Sequence, residues 1–182
     1  MKNNKEIENW FDKVYDVKYP RWEELPDFGL YMDQVITLLE RYLNYLIKDH
    51  YDRPFTPTMI NNYVKLKMIP KPIKKQYNRV HLAYLIVIMS LKQVLTISEI
   101  KEGILYQEKL SGTKNAYNLF CCSLELSLKQ TLGIINNKYP YIETTIIKDN
   151  NNLAIDMATR ALSSKIIASY ISQQQLKEEN ND

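Results

Sequence analysis

The chain has 182 residues, of which 45% are hydrophobic and 25% charged, and its formal net charge is +3. This composition is typical of a globular protein with a buried core, and four glycines are too few for an all-β fold rich in tight turns. The start lacks the apolar run of a signal peptide, and the most apolar stretch, residues 82–91, is too short to span a bilayer. We therefore expect a cytoplasmic protein with no membrane partner.

Catalytic and metal-binding patterns are missing from the sequence. The two cysteines, Cys121 and Cys122, are adjacent, and neighbouring side chains on a helix point about 100° apart, so we expect them to be core residues. His50 and His81 have no nucleophile pattern beside them, and there is no glycine-rich phosphate loop or zinc spacing. We therefore expect no enzyme activity, no catalytic residue, no metal and no cofactor.

Two amphipathic helices are predicted in the first third of the chain. Apolar residues at three-and-four spacing predict a helix over residues 5–15, and Pro20 and Pro26 prevent its continuation. A wider apolar stripe predicts a second helix over residues 31–48. A connector over residues 50–54 follows.

The basic charge is concentrated in residues 53–98. This segment has eight Lys or Arg and no Asp or Glu, whereas the rest of the chain has 16 basic and 21 acidic side chains. Such asymmetry favours a polyanionic partner. Within it, Thr56 is a suitable N-cap and Pro57 suits the first turn of a short helix. The helix would have an apolar inner face and a polar outer face, formed by Thr58, Asn61, Asn62 and Lys65.

A lysine-rich loop and a core helix complete the basic segment. Pro70 and Pro72 end the short helix, and residues 70–76 are expected to form a loop or wing. Asn78 is the predicted cap of a helix over residues 79–94, which is apolar nearly all round and so should be the central core helix. A further cap at Ser98 predicts a helix over residues 99–110.

The C-terminal part is predicted to be helical. Long helices are expected over residues 113–136 and 153–171, and residues 141–148 could be helix or extended linker. Four small residues in the last helix would allow close packing: Ala154, Ala158, Ala161 and Ala168. The expected domains are a helical arm (1–24), a DNA-binding domain (25–110), a helical dimerisation or effector region (111–175) and a disordered tail (176–182).

Three stretches carry a resemblance to known proteins: LPDFGLYMDQVITLLERYL, MINNYVKLKMIPKP and HLAYLIVIMSLKQVLTISEI. They resemble an uncharacterised bacterial family catalogued as domain of unknown function 1836, from about Leu25 onward. The order of a capped helix, a Pro/Lys connector and an apolar helix is similar to the winged helix-turn-helix of the mercury-resistance regulators (MerR). The resemblance implies an all-α protein with a MerR-like winged helix-turn-helix, a short basic wing and additional C-terminal helices.

The same resemblance implies that the helix after Thr56 enters a major groove while the wing binds phosphates. Asn61 stands where the MerR pattern usually has an arginine, and Lys67 where it usually has a glycine. The wing has no glycine at its tip, and whether it forms a hairpin is left open. The residues expected to contact DNA are Arg53, Thr56, Thr58, Asn61, Asn62, Tyr63, Lys65, Lys67, Lys71, Lys74, Lys75 and Arg79.

Our interpretation is a sequence-specific transcriptional regulator that binds double-stranded DNA as a homodimer. One alternative is a protein-interaction module on a degenerate helix-turn-helix scaffold, with a protein partner bound through the last helix. Another is an all-helical enzyme or small-molecule binder using residues 113–171. An effector or protein partner of the regulator remains open at this point.

Overall fold

The computed structural model describes residues 2–47, 55–143 and 150–179. Within these ranges the chain is all-α, as predicted. Extended backbone is paired there in two isolated β-bridges. A short 3-10 helix, Trp22–Glu24, follows the first α-helix. The α-helices are α1 (Lys2–Tyr15), α2 (Met32–Ile47), α3 (Pro57–Lys65), α4 (Arg79–Leu91), α5 (Ile97–Ile135) and α6 (Leu153–Glu179).

Helix α5 begins earlier than predicted, because its cap is Thr96 and not Ser98. The Thr96 hydroxyl oxygen accepts a hydrogen bond from the Glu99 N–H at 3.3 Å, and the Glu99 carboxylate accepts one from the Thr96 N–H at 2.7 Å. This reciprocal pair is a capping box, which outcompetes a lone serine two residues later. The Thr96 hydrogen bonds also lower the pKa of the Glu99 carboxyl.

Helix α5 is broken at Gly112, where the backbone has φ 77° and ψ 158°. Glycine tolerates this conformation because it has no Cβ. The break lies two residues after the predicted DNA-binding domain ends at residue 110, and the chain forms two compact units. One unit is Tyr19–Cys121, which we call the module, and the other combines Met1–Lys18 with Cys122–Asp182, which we call the flanking unit.

The core of the module is built around α4, as expected from its uniform apolarity. Helix α2 contacts both α3 and α4. The buried residues of α4 are His81, Leu82, Ala83, Leu85, Ile86, Ile88, Met89, Ser90 and Leu91. The two ends of the module meet, because the Tyr117 hydroxyl donates to the Pro20 carbonyl at 2.7 Å and the rings of Tyr19 and Phe120 are 6.5 Å apart.

The flanking unit contains α1, the end of α5 and α6. The rings of Trp10 and Tyr170 stack at 3.9 Å and join α1 to α6. Lys138 Nζ lies 2.7 Å from the Asp12 carboxylate, which also accepts from the Tyr139 hydroxyl at 2.8 Å. Helix α6 extends to Glu179, into the segment for which a tail was predicted. Of the ambiguous residues 141–148, residues 144–148 lie outside the described residues.

Hydroxyl groups, and not the predicted alanines, line the contact between α5 and α6. Ala158 is buried, but Ala154, Ala161 and Ala168 are exposed. The contact is a ladder of hydrogen-bonded pairs: Ser123 with Asp156, Ser127 with Thr159, and Thr131 with Ser163. Thr159 and Ser163 are fully buried, and each hydroxyl finds its partner on the facing helix.

We predict that Ser163→Val destabilises the protein by about 1–3 kcal/mol, because it removes a buried hydroxyl that bonds the Thr131 hydroxyl and donates to the Ser127 carbonyl at 3.1 Å. Chemical unfolding measures the loss. Ser164→Val on the exposed side of the same helix is the matched control and should change the free energy of unfolding by less than about 0.5 kcal/mol. Equal effects of the two substitutions would contradict the buried ladder.

His81 is part of the cap of α4. Its Nδ1 accepts from the Asn78 N–H at 3.0 Å, while the Asn78 side-chain oxygen accepts from the Val80 N–H at 3.1 Å. Burial lowers the pKa of His81 below its usual 6.5, and the Pro70 carbonyl opposes this in part. The neutral imidazole is therefore the form that the fold requires.

We predict that the protein loses stability as the pH falls below about 6.5, because the unfolded chain then takes up a proton that folded His81 resists. Thermal unfolding between about pH 7.5 and about pH 5.5 tests this, since carboxylates titrate below that window. His81→Gln should flatten the dependence, and His50→Gln, which removes the other histidine, should leave it in place. A profile that His81→Gln leaves unchanged would contradict the assignment.

Candidate nucleic-acid interface

Helix α3 begins after the predicted cap residue, Thr56, and exposes the predicted polar face. Thr56 has extended backbone and its hydroxyl oxygen accepts from the Met59 N–H at 3.3 Å, with Pro57 at the first helical position. Ile60 and Tyr63 are buried and fix the inner face. The outer face is a row of exposed polar side chains: Thr58, Asn61, Asn62 and Lys65.

Helix α3 ends in a Schellman motif at Lys67. The Met68 N–H donates to the Tyr63 carbonyl at 2.9 Å, and the Lys67 N–H donates to the Val64 carbonyl at 3.1 Å. Lys67 has φ 54°, so a lysine occupies the left-handed position that this motif usually gives to glycine. Met68 and Tyr63, which the first of these hydrogen bonds joins, both have buried side chains.

The lysine-rich loop forms a minimal hairpin, which resolves the question left open by the sequence. Ile73 and Gln76 form an antiparallel bridge, and the Gln76 N–H donates to the Ile73 carbonyl at 2.9 Å. The two residues between them, Lys74 and Lys75, have φ 52° and 64°. Positive φ at both central residues is the signature of a type I′ turn, which matches the twist of a two-residue hairpin.

The hairpin is tied to the segment before α2. Leu30 and Tyr77 exchange two backbone hydrogen bonds, of 2.7 and 2.8 Å, and both side chains are buried. Gly29 lies against the Gln76 side chain, whose Cδ would be 2.8 Å from a Cβ at this position. Asn78, the next residue, caps α4. The hairpin is therefore held between α2 and α4.

Positive φ at non-glycine residues is confined, in the described part of the chain, to Lys67, Lys74 and Lys75. The left-handed region costs an L-residue roughly 1–2 kcal/mol. Glycine would avoid this cost at every one of the three positions, yet each carries an exposed ammonium group. Backbone strain of this kind clusters at functional sites, which makes these three lysines the candidate functional residues of this surface.

Eight of the expected DNA-contacting residues are exposed: Thr58, Asn61, Asn62, Lys65, Lys67, Lys71, Lys74 and Lys75. Of these, Lys65, Lys67 and Lys71 line one groove beside the end of α3. Lys74 and Lys75 form the hairpin tip, outside that groove. Arg53 lies outside the described residues.

Three other expected contact residues have internal roles. Tyr63 is buried with its hydroxyl 4.0 Å from Met89 Sδ, and burial raises its pKa, so this hydroxyl is directed into the core and not at a phosphate. Arg79 is half-buried and its Nε donates to the Leu25 carbonyl at 3.0 Å. The Thr56 hydroxyl is occupied by the cap of α3.

Arg79 is also neutralised by acidic neighbours within the module. Its guanidinium lies 3.3 Å from the Glu23 carboxylate and 3.8 Å from that of Asp27. The hydrogen bond from Lys114, and the nearby charge of Arg79, lower the pKa of the Glu23 carboxyl. Arg79 therefore acts as a structural clamp between α4 and the segment before α2.

Sequence reasoning missed Lys101. From α5, its Nζ donates to the Leu66 carbonyl at 3.0 Å, at the C-terminal end of α3, where a cation also complements the helix dipole. Lys101 lies outside the basic segment and beside acidic residues in sequence, so no linear pattern marks it. Only the packing of α5 on the end of α3 reveals its role.

The two cysteines differ in their surroundings. Cys121 is buried, as predicted, whereas Cys122 is exposed, because successive helical side chains diverge and only one of them can face the core. In the described ranges, no group of three or more His, Cys, Asp and Glu side chains is placed to hold a metal ion. None of the helices described is both long enough and apolar enough to span a membrane.

Fold and site together define a small all-α module in which a capped helix with a polar face is followed by a lysine-tipped hairpin. Residues 20–120 match the model of the family described as a domain of unknown function (DUF1836), and because the match covers more than half of the chain, the protein belongs to that family. The matched residues coincide with the module Tyr19–Cys121. No curated protein and no solved structure matches the chain.

We predict that Lys67→Gly stabilises the protein by about 1 kcal/mol, because glycine adopts the left-handed C-terminal position without a Cβ clash. Urea unfolding measures the gain. Lys109→Gly, at an exposed position inside α5, is the matched control and should destabilise by about 1 kcal/mol. A loss of stability from both substitutions would contradict the left-handed conformation of Lys67.

Proposed function

We propose that this protein is a sequence-specific transcriptional regulator that binds double-stranded DNA through a MerR-like winged helix-turn-helix. In this proposal α2 and α3 form the helix-turn-helix, α3 enters the major groove, and the Ile73–Gln76 hairpin is the wing. The bases would be read by Thr58, Asn61 and Asn62. The phosphates would be bound by Lys65, Lys67, Lys71, Lys74 and Lys75.

The observation that carries the proposal is the hairpin tip. Lys74 and Lys75 occupy the two positions of a type I′ turn, where Asn-Gly is favoured and lysine is strained. If these lysines served only to make the loop soluble, they could occupy neighbouring positions with an unstrained backbone. A phosphate-binding wing requires ammonium groups at its tip, and here the hairpin holds two of them there although their backbone is strained.

Helix α3 supports the proposal through its rigidity. The Thr56 cap fixes its start and the Schellman motif at Lys67 fixes its end, while Ile60 and Tyr63 anchor its inner face. The outward amides of Asn61 and Asn62 are thus held on a preorganised element. An asparagine amide can make a bidentate contact to adenine in the major groove.

A homodimer would determine how far apart the two recognition helices lie on the DNA. Two copies related by a twofold axis place two recognition helices in successive major grooves, about one helical turn apart, so the operator would be a palindrome. The C-terminal helices are the part of the chain proposed to dimerise or to receive a signal.

We predict that Lys74→Asn/Lys75→Gly weakens binding to the genomic DNA fragments that the wild type retains, without loss of stability. The substitution installs a relaxed type I′ turn and removes two phosphate contacts. The slope of log affinity against log salt concentration should fall by about 2, since each contact contributes about 0.9. Affinity selection from fragmented genomic DNA across a salt series supplies the measurement.

The matched control for this variant is Lys5→Gln/Lys13→Gln, which removes the same charge from exposed positions of α1. It should leave DNA affinity and salt slope unchanged when stability is taken into account. Retention of no fragment even at low salt would refute DNA binding and favour the protein-interaction module. If both variants weakened DNA binding equally, net charge alone would explain the effect and the hairpin would have no specific role in it.

We predict that Asn61→Ala relaxes sequence preference at one or two operator positions, because it removes a base contact worth about 1–3 kcal/mol. The hairpin variant should instead weaken all sequences about equally. Binding to a library of single-base operator variants separates the two patterns. A uniform loss for Asn61→Ala would assign this amide to the DNA backbone instead of a base.

A further inference from the structure

A groove of about 500 Å³ lies within the module, beside the C-terminal end of α3. This volume is in the range of pockets that bind small organic molecules. Its floor combines the turn after α3 with one face of α5. The apolar residues of the lining are Val64, Met68, Ile69, Pro70, Ile104 and Leu105.

Four lysines line the same groove: Lys65, Lys67, Lys71 and Lys101. They come from the end of α3, the turn after it and α5, so the fold and not the local sequence brings them together. Lys101 donates one hydrogen bond to the Leu66 carbonyl, and an ammonium group has two further protons to donate. Lys67 keeps its place in the groove despite a strained backbone.

Among the described residues of the lining, Glu108 supplies the one carboxylate, and this carboxylate is engaged within the protein. It accepts a hydrogen bond from the Thr113 hydroxyl at 2.6 Å and another from the Tyr84 hydroxyl. Burial and the neighbouring carboxylate raise the pKa of Tyr84, so its hydroxyl stays a donor. Among the described residues, the groove lining therefore combines four lysines with an apolar floor and one carboxylate that is hydrogen-bonded within the protein.

We propose that this groove binds an organic anion with an apolar body, of which a medium-chain carboxylate is the simplest form. The apolar body lies on Met68, Ile104 and Leu105, and the anionic end lies among the lysines. Charge complementarity favours an anion, and the apolar floor favours a ligand with an apolar body over a small inorganic ion.

The regulatory consequence of this site rests on the proposed function. Lys65, Lys67 and Lys71 belong both to the groove and to the proposed DNA interface. A bound anion neutralises these lysines and removes them from the phosphates, so ligand and DNA weaken each other's binding by the same factor. The groove would thus be the effector site of the regulator.

Isothermal titration of the full chain with three probes tests the site. Decanoate carries both features, decan-1-ol only the apolar body, and acetate only the charge. We expect decanoate, below its micellar concentration, to bind at least about tenfold more tightly than either of the others. Binding of decan-1-ol equal to that of decanoate, or no binding of decanoate, would overturn the proposal.

Two leucine variants locate the site. Leu105→Glu places a negative charge on the groove floor, and we expect it to weaken decanoate binding by about tenfold or more. Leu110→Glu is the matched control, because Leu110 is an exposed leucine of the same helix outside the groove lining, and it should bind as the wild type does. Equal loss in both variants would overturn the placement. Lys67→Gly should also weaken binding while the protein becomes more stable, which rules out unfolding as the cause.

A DNA competition separates this inference from the proposed function. Decanoate should raise the dissociation constant for a retained DNA fragment in the wild type but not in Leu105→Glu. Decanoate binding of the expected pattern in a chain that retains no DNA would refute the regulator and leave the ligand site standing. DNA binding without decanoate binding would refute the ligand site alone, and independent binding of both would refute their competition.

Discussion

The module depends on the pairing of Leu30 with Tyr77. Their two backbone hydrogen bonds are shielded by buried side chains, and in such surroundings a hydrogen bond is stronger than in water. Tyr77 follows the hairpin and precedes Asn78, the cap of the core helix, while Leu30 precedes α2. One extended pairing therefore sets the position of the hairpin relative to both packed helices, in a domain that is otherwise helical.

Backbone hydrogen bonds allow three lysines of the module to keep a strained backbone conformation. Lys67 is held by two backbone hydrogen bonds that close the end of α3, and Lys74 and Lys75 by the bridge of Ile73 with Gln76. In a flexible loop the same lysines would relax to negative φ. The backbone fixes these three lysines in place, and among the residues that the structure describes they form no ion pairs such as those that neutralise Arg79.

Local chemistry explains which features could be predicted. The caps Thr56 and Asn78 act within their own turns, so the starts of α3 and α4 could be derived from sequence. The type I′ turn could not, since Lys-Lys carries no turn signal and its conformation is imposed by the Leu30 pairing. The groove could not either, because it needs Lys101, which lies in α5, to meet the end of α3.

The meeting of the module's two ends has a consequence for how this chain is organised. Residues before Tyr19 and after Cys121 form one compact unit, although the family segment separates them in sequence. Because Tyr19 and Pro20 contact Phe120 and Tyr117, the chain leaves the module close to where it enters it. A segment whose two ends lie close together can be inserted into another domain, or removed from it, as one unit. The module can therefore be exchanged or remodelled while the path of the flanking unit stays the same, so the sequences of the two units can diversify separately.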